Sequence, residues 1–236
     1  MHQEKHERYS GVVANAKKDY TMRQLFWVID SPYSRAIKWL LLRHDIAHDD
    51  YLLTWQTLKT DPALHQCNPK QQVPTLIQQD TVSYDSLLIA QQILPFQWHQ
   101  TTDAKIFRLG DADFEKAIIF FFRANLLADK FGAGEQSALL FEAGRQRYCS
   151  SVDMLFDHLL PQLANNIKDI EINVGVILAF STILACRTQA HNVEIDNYRL
   201  PELKTLSNRM HKDTHYQQII AGYTNNADCK LTFLLP

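Results

Sequence analysis

Apolar and polar residues follow two rhythms along this chain, and the change falls near residue 103. Before it, short apolar runs of strand length alternate with helical segments. "LFWVI" (25–29) predicts a first strand. It stops at Asp30-Ser31-Pro32, after which Ile37, Leu40, Leu41 and His44 recur at helical spacing. A helix therefore starts at Pro32, where a missing N–H costs nothing. "DYLLTW" (50–55) predicts a second strand, followed by a polar, weakly helical segment to His65. "VPTLIQ" (73–78), Asp80-Thr81 and "VSY" (82–84) predict a hairpin. Asp85 and Ser86 read as caps of a further helix over "LLIAQQIL". The order is β-α-β-α-β-β-α.

After residue 103 the pattern predicts no strand. Helical spacing runs through 113–131, 135–161 and 173–188, with shorter helices over 201–211 and 214–221. The fold class is α/β plus all-α. Residues 1–21 are expected to be a mobile, dispensable extension, with Met22 a possible start. Residues 22–98 form the α/β domain, 99–112 the linker and 113–236 the helical-bundle domain. There are no internal repeats.

Composition narrows the function classes. Formal net charge is −2, from 24 basic and 26 acidic residues. That leaves no basic footprint for nucleic acid or an anionic membrane. The four cysteines, Cys67, Cys149, Cys186 and Cys229, form no CxxC pattern. Disulfide frameworks and a zinc site are not expected, and a reducing cytoplasm fits. The polar start, "MHQEKHERYSGVVANAKKDYT", has no apolar core of a secretory signal. "AIIFFFRANLLA" (117–128) contains Arg123 and is too short to span a bilayer, so it reads as a buried helix.

Three pieces of the α/β domain carry candidate chemistry. Ser31-Pro32-Tyr33-Ser34 lies at the first strand-to-helix corner, "NPKQQVPTL" (68–76) brings Val73-Pro74 to a strand start, and Asp85-Ser86 opens a helix. Read alone, Ser31 is an N-cap and Asp85-Ser86 a capping pair. Together, in this order, they resemble the glutathione transferase superfamily. Its N-terminal thioredoxin-like domain carries an S/C-P-x-x corner, an N-P-x-x-x-V-P-x-L segment and an E/D-S pair. "DNYRLPELKTLSNRMHKD" (196–213) is similar to that family's acidic-aromatic stretch, P-x-L and a helix ending in Met. The resemblance covers roughly residues 24–222.

The resemblance implies a glutathione site. Pro74 would be cis and would turn the Val73 backbone outward, to pair with the tripeptide as an added strand. Asp85 and Ser86 would hold the γ-glutamyl carboxylate at a helix N-terminus. Gln72 matches a position that helps bind the glycine end, where many relatives have lysine. Ser31 would steady the thiolate with its O–H beside the free N–H groups of the following helix, and Ser34 is the second candidate. Tyr33 is expected to pack or line the pocket. The absence of cysteine at position 31 argues against mixed-disulfide chemistry.

The implied protein is a serine-type, cytoplasmic, homodimeric glutathione S-transferase. It would conjugate glutathione to an electrophilic small molecule in detoxification. A non-catalytic binding or regulatory member of the fold and a glutathione-dependent isomerase are the alternatives.

Other features point elsewhere or nowhere. His44/His48 and His211/His215 stand at i,i+4, but neither pair shows a third ligand, so no metal is expected. "FGAGE" (131–135) reads as a helix-breaking turn. Phe120, Phe121 and Phe122 read as core, with one a candidate for the electrophile pocket. "IEINVGVILAF" (170–180) lacks the family's Ser/Thr-x-x-Asp box, so Asn173 is the expected cap.

Overall fold

A computed structural model describes residues 23–222. The extension 1–21, Met22 and Cys229 lie outside them. Strand β1 (Arg23–Val28) is buried on both faces, as a central strand must be. Leu25 and Trp27, with Ile29 just beyond, point into the main core, whereas Phe26 and Val28 point into a smaller core with Leu53, Leu58 and Leu64. The sheet order is β2-β1-β3-β4. Strand β2 (His48–Leu53) runs parallel to β1, while β3 (Thr75–Gln78) and β4 (Thr81–Tyr84) are antiparallel additions.

Between them lie α1 (Pro32–Arg43), α2 (Trp55–Leu58), α3 (Pro62–Cys67) and α4 (Ser86–Ile93). This is the expected βαβαββα order, with the second α split in two. Strand β2 ends earlier than 55 because Thr54 and Thr57 form a reciprocal capping box, which draws Trp55 into a helix. Strand β3 begins at Thr75 rather than Val73, since the Val73-Pro74 peptide is cis and Pro74 has no N–H for the ladder.

The second part is helical. Here the structure corrects the expected start at 113: the helix begins at Thr102, capped by the Thr101 side chain. It runs through α5 (Thr102–Arg108), a π-helical segment (Leu109–Phe114) and α6 (Glu115–Phe131) without a break. The connecting turn shortens to the 3₁₀ segment Phe96–Gln100. Gly132, at φ +81°, closes α6, and Gly134 caps α7 (Glu135–Asp153), so 131–135 is the expected turn. The helix expected to reach 161 gives way to a π segment (Met154–Leu159) and a 3₁₀ turn at Pro161. Helix α8 (Val174–Ala190) is apolar on nearly every face and forms the centre of the core. Three shorter helices follow: α9 (Val193–Asn197), α10 (Leu200–Met210) and α11 (Thr214–Ala221).

Asn173 is the cap of α8, its side chain accepting from the Val176 N–H at 3.0 Å. The missing acid of the box is supplied by another helix. Asp103 Oδ1 accepts from the Gly175 N–H at 2.7 Å, and Asp103 Oδ2 accepts from Trp98 Nε1 at 2.7 Å.

Arg35 and Trp39 of α1 help fasten the α/β part to the helical part. Arg35 donates to the Ile29 carbonyl at 3.1 Å and to Ser181 Oγ of α8 at 3.3 Å. Trp39 Nε1 donates to Asp213 Oδ1, the cap of α11, at 2.8 Å. The first of these also braces the turn that leads to Ser31.

Candidate functional site

The end of β1, the loop before β3 and the start of α4 meet at one cleft of about 350 Å³. Ser31 caps α1 there, its Oγ accepting from the Ser34 N–H at 3.2 Å. Its hydroxyl proton remains available to donate. Ser34 does not line the cleft. It is fully buried and its Oγ accepts from the Val28 N–H at 3.4 Å, tying the helix back to the strand.

The loop before β3 is held from within by Asn68, which is fully buried. Its amide donates to the Gln72 carbonyl at 3.0 Å and to Thr75 Oγ1 at 2.8 Å, and its carbonyl accepts from the Lys70 N–H at 2.9 Å. Gln71 turns at φ +53°, and the cis Val73-Pro74 bond follows. Gln72, Val73 and Pro74 all reach the cleft wall.

Asp85 caps α4, accepting from the Leu87 and Leu88 N–H groups at 2.9 and 3.3 Å. Its φ of +104° bends the chain sharply between β4 and the helix. Ser86, next in line, is buried and donates to Asp111 Oδ1 at 3.2 Å. Every candidate except Ser34 thus lines this one cleft: Ser31, Tyr33, Gln72, Val73, Pro74, Asp85 and Ser86.

The helical part adds two carboxylates that the sequence reading missed. Asp111, in the π segment, and Glu115, at the head of α6, face the cleft opposite Ser31. Gly110 lets α8 approach closely here, since a Cβ at 110 would stand 2.8 Å from Leu178. Loss of hydration raises both carboxyls above their ordinary values. For Glu115 the charges of Asp111 and Asp85 add to this; for Asp111, Arg108 opposes and Asp85 adds. Trp55 and Leu58 of α2 and Gln71 also line the cleft. The i,i+4 spacing of Asp111 and Glu115 is the available sequence signal, masked because residue 111 falls in a segment that reads as a linker.

The Tyr33 hydroxyl is shut off from solvent with no partner at hydrogen-bonding geometry, and it faces Glu115. Burial, then the charges of Glu115 and Asp111, push its pKa well above the tyrosine range. Tyr33 therefore stays a neutral O–H.

One histidine of each pair is engaged with neighbours outside this cleft. His48 packs its ring nitrogens against Lys38 Nζ and the Ile46 carbonyl at 2.7 and 2.6 Å, and His211 Nδ1 lies 2.8 Å from the Ser207 carbonyl. Among the described residues no group of three or more His, Cys, Asp or Glu could hold a metal ion. No described helix is long and apolar enough to cross a membrane. Of the three phenylalanines, Phe121 is core and Phe122 is exposed.

Comparisons place this geometry in a known setting. Residues 25–94 match the family model described as glutathione S-transferase, N-terminal domain. No curated protein sequence matches the chain. Among solved structures, a glutathione S-transferase from Xylella fastidiosa superposes with a TM-score of 0.62 at 17% identity, covering 86% of this chain and 98% of that one. A glutathione transferase family member from Pseudomonas fluorescens, with bound glutathione, gives 0.61 at 16% identity, covering 84% and 98%. A maleylacetoacetate isomerase from Anaeromyxobacter dehalogenans, with glutathione in its active site, gives 0.59 at 13% identity, covering 84% and 94%. Residues 25–94 thus match the glutathione S-transferase N-terminal domain model, and the chain shares the two-domain fold of these solved glutathione transferases.

Proposed function

We propose that the cleft binds reduced glutathione and that the protein transfers its sulfur to an electrophilic small molecule. The observation that carries this reading is the convergence of Ser31, Gln72, the cis Val73-Pro74 bond, Asp85 and Ser86 on one cleft. The Val73 backbone offers the tripeptide a strand-like partner. The start of α4, with Ser86, offers N–H and O–H donors to the γ-glutamyl carboxylate. Ser31, with the first turn of α1, offers donors to the sulfur. The thiol would give up its proton to solvent, a C–S bond would form, and the leaving group would depart with the electron pair of the bond it breaks. No metal is invoked.

One observation favours a second reading. Asp85, Asp111 and Glu115 line the cleft and, among the described residues, no lysine or arginine does, which opposes a thiolate. A protein that binds glutathione as the thiol, without conjugating it, fits that charge. The isomerase reading shares the cradle and differs in the second substrate.

Exposed apolar residues support a homodimer. Leu88 and Phe96 are 53% and 83% exposed. A groove of about 490 Å³, formed by α4, the connecting turn, the α5 region and Met154, is lined by Leu87, Trp98 and Leu109. A second copy would cover it. A stable species of 27.3 kDa in sedimentation at micromolar concentration would contradict the dimer. A cytoplasmic, detoxifying role goes with the transferase reading.

The test is calorimetric titration with glutathione, followed by the thiolate absorbance of the complex against pH and turnover of a model aryl halide. Binding with turnover supports the transferase. Binding without turnover, and with a thiol that stays protonated near neutrality, selects the binding protein. No binding ends both.

A further inference from the structure

The wall opposite Ser31 has a definite chemical character. Asp111 and Glu115 line it, and the α6 face that carries Glu115 continues through Ile119, Phe122 and Leu126 at steps of four, three and four. Residues at these steps share one face of a helix. All three are exposed, at 39%, 54% and 41%, which is unusual for large apolar side chains in regular succession. An apolar stripe therefore runs out of an acidic mouth.

The mouth also holds two aromatic rings, Tyr33 and Trp55, the latter 49% exposed. Arg108 is engaged with Asp111 at 2.5 Å and lines the other groove; its charge acts on Glu115 as the last of several influences, and it does not itself line the cleft. Among the described lining residues no lysine or arginine stands with these carboxylates and aromatic faces, an arrangement that favours a cation and repels an anion.

We propose that this face of the cleft selects a second substrate that joins an apolar body to a positive charge, such as an aryl or alkyl electrophile bearing a quaternary or protonated nitrogen. The proposal rests on the cleft being a glutathione site. Glu115 is its main specificity residue, because Asp111 is already tied to Ser86 and Arg108. Ile119 and Phe122 receive the apolar body.

The test uses stable S-substituted glutathiones, so it needs no turnover. S-methylglutathione is the reference. Three benzyl conjugates carry trimethylammonium, its neutral isostere tert-butyl, or carboxylate at the para position. Calorimetry should find the trimethylammonium conjugate about three- to fivefold tighter than the tert-butyl one, and the carboxylate about three- to fivefold weaker, as expected for partly screened charges. Glu115→Gln should draw the three affinities together, and added salt should do the same in the wild type. Phe122→Ser should weaken the trimethylammonium and tert-butyl conjugates alike while leaving S-methylglutathione unchanged. Equal affinities for the three conjugates, or a preference for the carboxylate, with S-methylglutathione still bound, would overturn the charge selection and leave the glutathione reading standing. If S-methylglutathione itself does not bind, that reading fails and the selection falls with it.

Discussion

The Ser86 hydroxyl donates to Asp111 at 3.2 Å, so the first turn of the α/β domain's last helix is joined to the helical part at the floor of the cleft. This bond holds Asp111 where burial raises its carboxyl, and Glu115 is raised beside it. A carboxyl whose folded pKa exceeds its unfolded value binds its proton more tightly in the native state. Its contribution is then most favourable below the ordinary values, 3.8 and 4.5, and declines as pH rises toward the raised folded values. The variant Asp111→Asn/Glu115→Gln lacks this penalty. Its melting temperature relative to wild type should therefore rise as pH climbs from about 4 through the raised folded values, and level off above them. A difference that is flat across that range would remove these two groups as the source.

Asn68 holds the Gln72–Pro74 loop by three hydrogen bonds from a fully buried amide. Asn68→Ala leaves the Gln72 carbonyl and the Lys70 N–H without that partner. The expected cost is about 2–3 kcal/mol in chemical denaturation. Weaker glutathione binding should accompany it, because the loop carries the cleft wall. Retained affinity in a folded, destabilised variant would separate the loop from the ligand.

Asp85→Ala should weaken glutathione more than Gln72→Ala. Asp85 combines the cap of α4 with a charge that would face the ammonium group of bound glutathione, whereas Gln72 would offer a neutral contact. Charge-assisted bonds are worth about 1.5–3 kcal/mol against about 0.5–1.5 for neutral ones. Calorimetry on both variants, with circular dichroism to establish folding, checks the order. Equal losses would mean the tripeptide lies differently.

Much of the α/β part was legible because its signals are local. "LFWVI" is apolar without interruption, as a strand buried on both faces must be. Pro32, Asn173 and the turn at 131–135 each mark a boundary through backbone chemistry that one or two residues determine. What stayed hidden depends on tertiary packing. Residues 102–112 look linker-like because Thr101, Thr102, Asp103 and Gly110 interrupt the apolar pattern. Thr101 is the cap, Asp103 faces α8 and Gly110 receives it. Asp111 and Glu115 became visible as site residues only once that helix was placed against the Ser31 corner.

Gly175 is a position where a single methyl should be decisive. Its N–H donates to Asp103 Oδ1 at 2.7 Å, so α5 passes directly over the start of α8. A Cβ at 175 would collide with the Asp103 carbonyl and stand 2.9 Å from the Phe107 nitrogen, both backbone atoms. Backbone cannot swing aside as a side-chain tip does, so Gly175→Ala should cost about 3 kcal/mol or more, at the upper end of overpacking. Asp103→Asn, which keeps the shape and one acceptor, should cost less. Urea denaturation of the two variants gives the comparison, and an unaffected Gly175→Ala would show that the two helices can separate freely.

Ser31 joins two roles, and one substitution should expose both. As a cap it accepts from the Ser34 N–H, so Ser31→Ala should cost about 0.5–2 kcal/mol of stability. As a donor its O–H would stabilise a bound thiolate by about 1.5–3 kcal/mol. At 1.36 kcal/mol for each pKa unit, the bound thiol of Ser31→Ala should titrate about one to two pH units higher. Turnover near neutrality should then fall about ten- to hundredfold and recover in part at alkaline pH. Glutathione affinity should change little, because Val73, Asp85 and Ser86 would hold the tripeptide elsewhere in the cleft. Ser34→Ala should leave the thiol titration in place, since Ser34 is fully buried and bonded to Val28. The measurement is the ultraviolet absorbance of the bound thiolate against pH, in wild type and both variants. If Ser31→Ala loses stability but leaves the titration where it was, Ser31 is a cap alone. A protonated thiol throughout that range would then match the acidic lining of Asp85, Asp111 and Glu115 and a protein that binds glutathione without conjugating it.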